Sequence, residues 1–383
     1  MPLASSGTSG DPGRVAVIGG GVIGCFLAYR LAQEGVPVTV IERKALAAEA
    51  SGASAGNVQP STGACGQYQA TLGTESLGLF RRYLPAIKEE SGVNFGDQEV
   101  RYLYAAMDEE EAAQTRDFAG ELADAGLRAE WIDAAAAREL DSRLSPDLVG
   151  GMLHQDCIQM DPALFVNALA TAAQRRGARL AMGEAVGLEE RGGRVSSVRL
   201  ADGSTVDSDT VVTSMGAWTG EAFARWLGVP LPVGPHPLQK LHLRPLGPRL
   251  GCAVRWKGTN IVHRVDGLVH VGSKHDETGF EARPTAAGRE WLLERMRAVL
   301  PGLEFEVAEA GAGCAVETPG MLPIMGSVSQ MEGVYVAVAG TNGFLLSALI
   351  ADAVTKLMTG GEPHRLLHEM SPERALARAE EES

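Results

Sequence analysis

The chain is short of cysteine, of positive charge and of long apolar runs, and each shortage narrows what it can be. Its five cysteines (Cys25, Cys65, Cys157, Cys252, Cys314) are odd in number and widely spaced, with no C-x-x-C pair. That fits reduced thiols in a cytoplasmic setting and not a disulfide framework. Lys and Arg number 34 against 48 Asp and Glu, a formal net charge of -14 with no basic stripe, so a nucleic-acid partner is not expected. No uncharged apolar run reaches about 18 residues, so neither is a membrane span. His364 and His368 stand i, i+4 on a C-terminal segment that reads as a helix, but without a third ligand they predict no metal site. The first thirteen residues hold no apolar segment and no signal-peptide pattern, and read as a disordered tail.

What is present is organised around Arg14 to Arg43, RVAVIGGGVIGCFLAYRLAQEGVPVTVIER. An apolar run ending at Ile18 reads as a buried strand. Gly19, Gly21 and Gly24 then form G-x-G-x-x-G, a helix follows as far as Gly35, and a second strand ends on Glu42. This is the order and size of a dinucleotide-binding βαβ unit. Gly19 permits the turn, Gly21 lets a pyrophosphate approach the helix N-terminus, and Gly24 lets helix lie close to strand. Glu42 is placed to accept from ribose hydroxyls, and its charge argues against a 2′-phosphate.

The small, polar stretch after Glu42 cannot build a core. Yet it follows the strand carrying the ribose acid, so Ser51, Ser54 and Asn57, with Gly52 and Gly56, are expected to form a second cradle for the cofactor. Asp161-Pro162 reads as a capped helix start, and Thr210 to Thr213 as a buried strand leading into a turn at Gly216. Residues 229–280 are rich in strand, proline and glycine. A strand at Val334 to Ala339, the turn at Gly340 to Gly343 and an apolar helix to Met358 close the pattern. The expected fold is α/β, a Rossmann-like domain of residues 14–92, 150–227 and 318–375. Inserted in it is a mostly antiparallel-sheet substrate domain (α+β) of residues 93–149 and 228–317.

The ordered set GGGVIG with Glu42, SGASAGNV, IVHRVDGLVHVG, TPGMLPIMG and AGTNGFLLS resembles the D-amino-acid oxidase superfamily of flavoproteins. It is most similar to the glycine oxidase, sarcosine oxidase and D-amino-acid dehydrogenase branch, over about Arg14 to Met358. The resemblance implies FAD, bound without a covalent link, and oxidation of a C–N bond by hydride transfer to flavin N5. It assigns FAD contacts to Gly19, Gly21, Val22, Ile23, Gly24, Glu42 and Arg43. It extends them to Ser51, Ser54, Ala55, Gly56 and Asn57, to Val186 and Gly216, and to the turn of Gly340, Asn342, Gly343, Phe344 and Leu345. A helix starting near Phe344 would aim its positive end at the flavin pyrimidine ring.

The departures fall at the substrate end. Where family members that bind amino acids carry a carboxylate-gripping Arg, this chain has Ala315, and where glycine oxidases place a Tyr it has Asn260. Either another cation (Arg101, Lys240, Arg244 or Arg264) takes over, or the substrate lacks a free α-carboxylate. His270 falls near the position of a sarcosine oxidase Lys that promotes reaction with oxygen; it reads equally as an electrostatic or basic group at the flavin and as a solvent-side strand residue. Cys314 is one position from the family's covalent flavin tether, and that offset turns a strand side chain to the other face. Tyr102 and Tyr104 read as core, with one of them a candidate for the substrate pocket. The leading expectation is FAD-dependent oxidation of an amine or amino acid, with oxygen or another acceptor and with self-assembly left open. The alternatives are 2-hydroxy-acid oxidation and a flavin-binding partner subunit without amine oxidation.

Overall fold

All four residues of VAVI at 15–18 and of TVVT at 210–213 are buried, as strands covered on both faces of a parallel sheet must be. A computed structural model describes residues 11–60, 68–340 and 342–382; Cys65 and Thr341 lie outside them. In chain order the elements begin β1 (Val15–Ile18), α1 (Val22–Gln33), β2 (Val38–Glu42), α2 (Ala50–Ala53), β3 (Asn57–Val58) and α3 (Gln69–Ser91). They continue through β4 (Gln98–Ala106), α4 (Glu109–Asp124), β5 (Ala129–Asp133), α5 (Ala134–Leu140), β6 (Gly150–Gln159), α6 (Pro162–Arg175) and β7 (Arg179–Met182). Then come β8 (Ala185–Arg191), β9 (Arg194–Leu200), β10 (Thr205–Asp207), β11 (Thr210–Thr213), α7 (Thr219–Leu227), β12 (Gly234–Pro245), β13 (Ala253–Trp256), β14 (Thr259–His263) and β15 (Val269–His275). The last are α8 (Ala286–Val299), β16 (Phe305–Glu317), β17 (Ile324–Ser327), β18 (Val334–Val338), α9 (Gly343–Met358) and α10 (Pro372–Glu381).

One sheet, in the order β17-β18-β11-β1-β2-β7, is parallel except for its edge strand β17. Helices α1, α3, α6 and α9 cover one face, and the scarce aromatics gather there. Phe26, Phe80, Phe165 and Phe344, one from each helix, meet at ring-centroid distances of 5.7 to 6.5 Å. Phe344 reaches the cavity described below, so this cluster fixes the helix that closes it. Asp161 caps α6 by accepting from the Leu164 N–H at 2.9 Å, with Pro162 at the first helical position as expected.

The second large sheet is β16-β12-β15-β14-β13-β4-β6-β3, with β5 beside β6, and is antiparallel at every step but β13–β4. Its faces follow the period of two. Leu241 and Leu243 on β12, Val269 and Val271 on β15 and Ile261 on β14 pack beneath Leu292 and Met296 of α8. Lys240, His242, His270, Gly272 and Asn260 take the other face and turn toward the parallel sheet. A third, small sheet is β10-β9-β8.

Two details depart from expectation. Residues 1–10 of the expected tail lie outside the described residues, but residues 11–13 are held: Pro12 is buried, and its carbonyl accepts from the Thr210 hydroxyl at 2.8 Å. His364 lies in a loop ahead of a short 3-10 turn and not on a helix; its Nε2 is 2.8 Å from Glu75, which comes from another part of the chain.

Candidate active site

The two large sheets meet over a cavity of about 660 Å³. Its first end is made of backbone. Gly19 leaves β1 at φ +115, and a Cβ there would fall 2.4 Å from the Ser214 carbonyl oxygen, so only glycine fits. Gly24 is tighter still: a Cβ would stand 1.9 Å from the Gly19 carbonyl oxygen. It holds helix to strand and does not itself border the cavity.

Gly21 is the N-cap of α1 and lacks a side chain to satisfy the helix's free N–H groups. Ser51, from the following polar stretch, supplies one, accepting from the Val22 N–H at 2.9 Å. Glu42 is fixed at the same place, one carboxylate oxygen accepting from Gly20 N–H at 2.8 Å and the other from Lys44 N–H at 2.7 Å. Helix α9 aims its N-terminus into the same space, through Asn342 at φ 65 and Gly343. Two positive helix ends, a glycine wall and one acid fit a diphosphate joined to a ribose.

The other end is made of side chains. Lys240 on β12, Arg255 on β13, Asn260 on β14 and His270 on β15 border it, with Ala315 and Cys314 from β16. Ladder register sets them side by side: Lys240 faces Gly272, Gly272 faces Asn260, and Asn260 faces Arg255. Arg255 touches the Asn260 side-chain oxygen at 3.4 Å and lies 5.9 Å from the Tyr104 ring centre; no carboxylate among the described residues pairs with it. Among the described residues Lys240 has one hydrogen bond, to the Gly52 carbonyl at 3.4 Å, and burial lowers its pKa. His270 is only 4% exposed, and its pKa is held well below the usual value, first by burial, then by His242, Lys240 and Arg264. It is therefore a neutral imidazole at pH 7.

The expected residues are mostly brought together. Gly19, Gly21, Val22, Ile23, Glu42 and Arg43 border the cavity, as do Ser51, Ser54, Ala55, Asn57 and Gly216. So do Gly340, Asn342, Gly343, Phe344 and Leu345, and at the far end His270, Asn260 and Ala315. Gly56 stands behind the wall, where a Cβ would meet the Met160 carbonyl oxygen at 1.9 Å. Val186 is 37% exposed and off the wall, which Gly183, Glu184 and Ala185 form instead. His270 is not on the solvent side of its strand.

Cys314 borders the cavity despite the expected turn to the other face, its Sγ 3.7 Å from the Ala315 carbonyl oxygen, and burial pushes its thiol pKa up. Tyr102 and Tyr104 are core residues whose hydroxyls engage Asn57 and Gln59, two side chains of the wall. Of the four cations weighed as substitutes, only Lys240 reaches the cavity. Arg264 is paired with Asp161 and Asp266 at 2.9 Å each, Arg101 turns to the Gly251 carbonyl, and Arg244 is exposed. Arg255 escaped the sequence reading; the signal for it was the short hairpin that sets it opposite Asn260.

Known proteins match this arrangement over nearly the whole chain. The family model described as FAD dependent oxidoreductase (DAO) covers residues 14–357. The bifunctional protein ThiO/ThiG of Nostoc sp. is 30% identical over 360 residues, 89% of this chain, but the chain spans only about half of that relative's length, 52%. The glycine oxidase of Geobacillus kaustophilus is 30% identical over 358 residues, 90% of this chain and 93% of that protein. The crystal structure of glycine oxidase from Geobacillus kaustophilus superposes with a TM-score of 0.87 at 27% identity, covering 93% of this chain and 97% of that one. With its glycine turn, ribose acid and two helix ends converging on one cavity, the chain belongs to the family of FAD dependent oxidoreductases.

Proposed function

We propose that the chain oxidises the C–N bond of an amine or amino acid that carries a carboxylate, using FAD. The observation that carries this reading is the charge of the far end. Arg255 and Lys240, without acidic partners among the described residues, stand beside Asn260 and the neutral His270 in the cavity whose other end fits the dinucleotide. FAD held by the glycine turn, Glu42 and the two helix ends would supply the redox chemistry, acceptance of a hydride equivalent from the carbon next to nitrogen. The protein supplies position and dryness. Arg255 is suited to hold the substrate carboxylate, the part Ala315 cannot play, and Lys240 lends a second positive charge. Asn260 offers both a donor and an acceptor. Leu238, Val316, Met321, Phe344 and Leu345 line the cavity with apolar surface that keeps out water.

The electron acceptor for FAD held there would be oxygen or another oxidant. The four described cysteines, all free and buried, support a reducing, cytoplasmic setting. Among the described residues no helix is long and apolar enough to cross a membrane. The test is anaerobic bleaching of the flavin against glycine, sarcosine, D- and L-amino acids, carboxylate-free amines and 2-hydroxy acids. Bleaching by carboxylated amines is expected. Bleaching by hydroxy acids alone would move the reading to alcohol oxidation, and bleaching by none would leave a flavin-binding subunit.

A further inference from the structure

From the wall of the cavity a line of side chains runs to the surface. His270 Nδ1 lies 3.4 Å from His242 Nε2, and His242 Nδ1 lies 3.2 Å from Glu309 Oε2. The three residues sit opposite one another on β15, β12 and β16, so ladder register holds them in a row. His270 borders the cavity at 4% exposure, His242 is 6% exposed, and the Glu309 side chain is 61% exposed. We infer that His270, His242 and Glu309 form a proton path between the substrate end of the cavity and solvent.

The direction of each hydrogen bond follows from Glu309. An ionised carboxylate only accepts, so His242 donates from Nδ1, and its Nε2 is left to accept. His270 therefore donates from Nδ1 to His242 and keeps its Nε2 as the acceptor. That nitrogen lies beside Gly272, another residue of the wall, whose lack of a side chain leaves room for it: a Cβ there would fall 2.5 Å from it. Both rings are neutral because burial, then the nearby positive charges of Lys240 and Arg264, disfavour the cation. Arg264 is itself paired with Asp161 and Asp266. The α8 side of the sheet meets β15 with Leu292, Leu293 and Met296 and adds no charge to the row.

The path rests on the proposed amine oxidation, which needs one. Oxidising R₂CH–NH₃⁺ to R₂C=NH₂⁺ releases two electrons and two protons. One proton leaves with the electron pair as the hydride taken by the flavin. The other leaves the ammonium nitrogen for His270 Nε2 as His270 Nδ1–H passes to His242 Nε2 and His242 Nδ1–H passes to Glu309, then to water. A proton returning along the row, as the electron acceptor is reduced, restores both tautomers.

Two measurements on the FAD-loaded protein test this. ¹⁵N-histidine NMR at pH 7, assigned with His242→Gln, is expected to show His242 and His270 both neutral and protonated on Nδ1. A cationic His270, or one protonated on Nε2, overturns the path. The second is anaerobic mixing with glycine and, separately, sarcosine in weak buffer, following flavin bleaching and an indicator dye together. His242→Gln should delay the dye signal behind bleaching by roughly 10²- to 10⁴-fold, the usual scale of a positioned acid–base group. Glu309→Gln, at the exposed end where the fold is not at risk, should delay it less. A residue that only supports the fold would not separate the two signals, and simultaneous signals in both variants reject the path. If neither amine bleaches the flavin, the oxidation reading loses its support while the NMR tautomers still decide the path.

Discussion

At one end the cavity is walled by backbone, and at the other by side chains carried on five strands of a second sheet. The first end is built by close backbone approach: Gly19 and Gly24 lie so near neighbouring carbonyl groups that there is no room for even a methyl group. The second end is made of atoms that are present, the side chains of Arg255, Lys240, Asn260 and His270, with Ala315 beside them. A wall of backbone cannot be altered without altering the fold, whereas a wall of side chains can change its ligand while the ladder beneath stays intact. Damage at the two ends should therefore look different.

The largest expected effect is at Gly24. In Gly24→Val the new side chain would collide with the Gly19 carbonyl oxygen, with Cβ at 1.9 Å, and force α1 off β1. Overpacking against backbone at such a distance belongs with the exceptional substitutions that cost about 4 kcal/mol or more. The expected protein is colourless, and the ratio of flavin to protein absorbance checks it. A yellow Gly24→Val would break the comparison, because the dinucleotide end would then tolerate side chains after all.

Acid should strike the other half first. His154, His236, His242, His263 and His270 all have pKa values lowered chiefly by burial, and all five lie in the nine-stranded sheet. For His154 the value falls from 6.5 to about 4. Between those values the unfolded chain binds a proton that the folded chain refuses. Stability is therefore full above pH 6.5 and is lost as pH falls toward 4, by about 3 kcal/mol from this residue. Urea unfolding at steps across that window should give a steep slope in the wild type and a flatter one in His154→Gln. Equal slopes would remove His154 from the account.

The contrast also explains what could be read in advance. The spacing of Gly19, Gly21, Gly24 and Glu42 is local, because one strand, one turn and one helix fix it, so sequence order is already spatial order. The far end depends on register. His242 and His270 are 28 positions apart, and His242 and Glu309 are 67 apart. Their meeting is decided by how β12 pairs with β15 and β16, bulges included. No local pattern states that; Arg255, by contrast, is set opposite Asn260 by one short hairpin and could have been read from it. Val186 stands off the wall for a related reason: the wall beside it is made by the turn leading into β8, which only the β2–β7 pairing brings to the cavity.

Arg255→Met tests the far end alone. It keeps an apolar stem against Tyr104 and removes the charge. A charge-assisted contact is worth roughly 1.5–3 kcal/mol, so KM for a carboxylated amine should rise about 10- to 100-fold. Carboxylate-free amines should be unaffected, and flavin content should not change. If both substrate classes suffer equally, Arg255 holds the sheet together and not the substrate.

The smallest expected effect falls where the two modes of construction touch. Ser51 belongs to the polar stretch after β2, yet its hydroxyl does for α1 what Gly21 cannot, accepting from the Val22 N–H at 2.9 Å. Ser51→Ala leaves the glycine wall in place and withdraws one side-chain oxygen. Loss of a helix cap costs about 1 kcal/mol, a fivefold change in an equilibrium. Because the freed N–H points into the cavity's dinucleotide end, a diphosphate or water can satisfy it there. The cost should therefore be read in the apoprotein's unfolding midpoint and should shrink when FAD is added, whereas a Ser51 that contacts FAD itself would make the deficit grow on loading. Melting both forms, with and without FAD, separates a side chain that serves the backbone cradle from one that belongs to the ligand's own contacts.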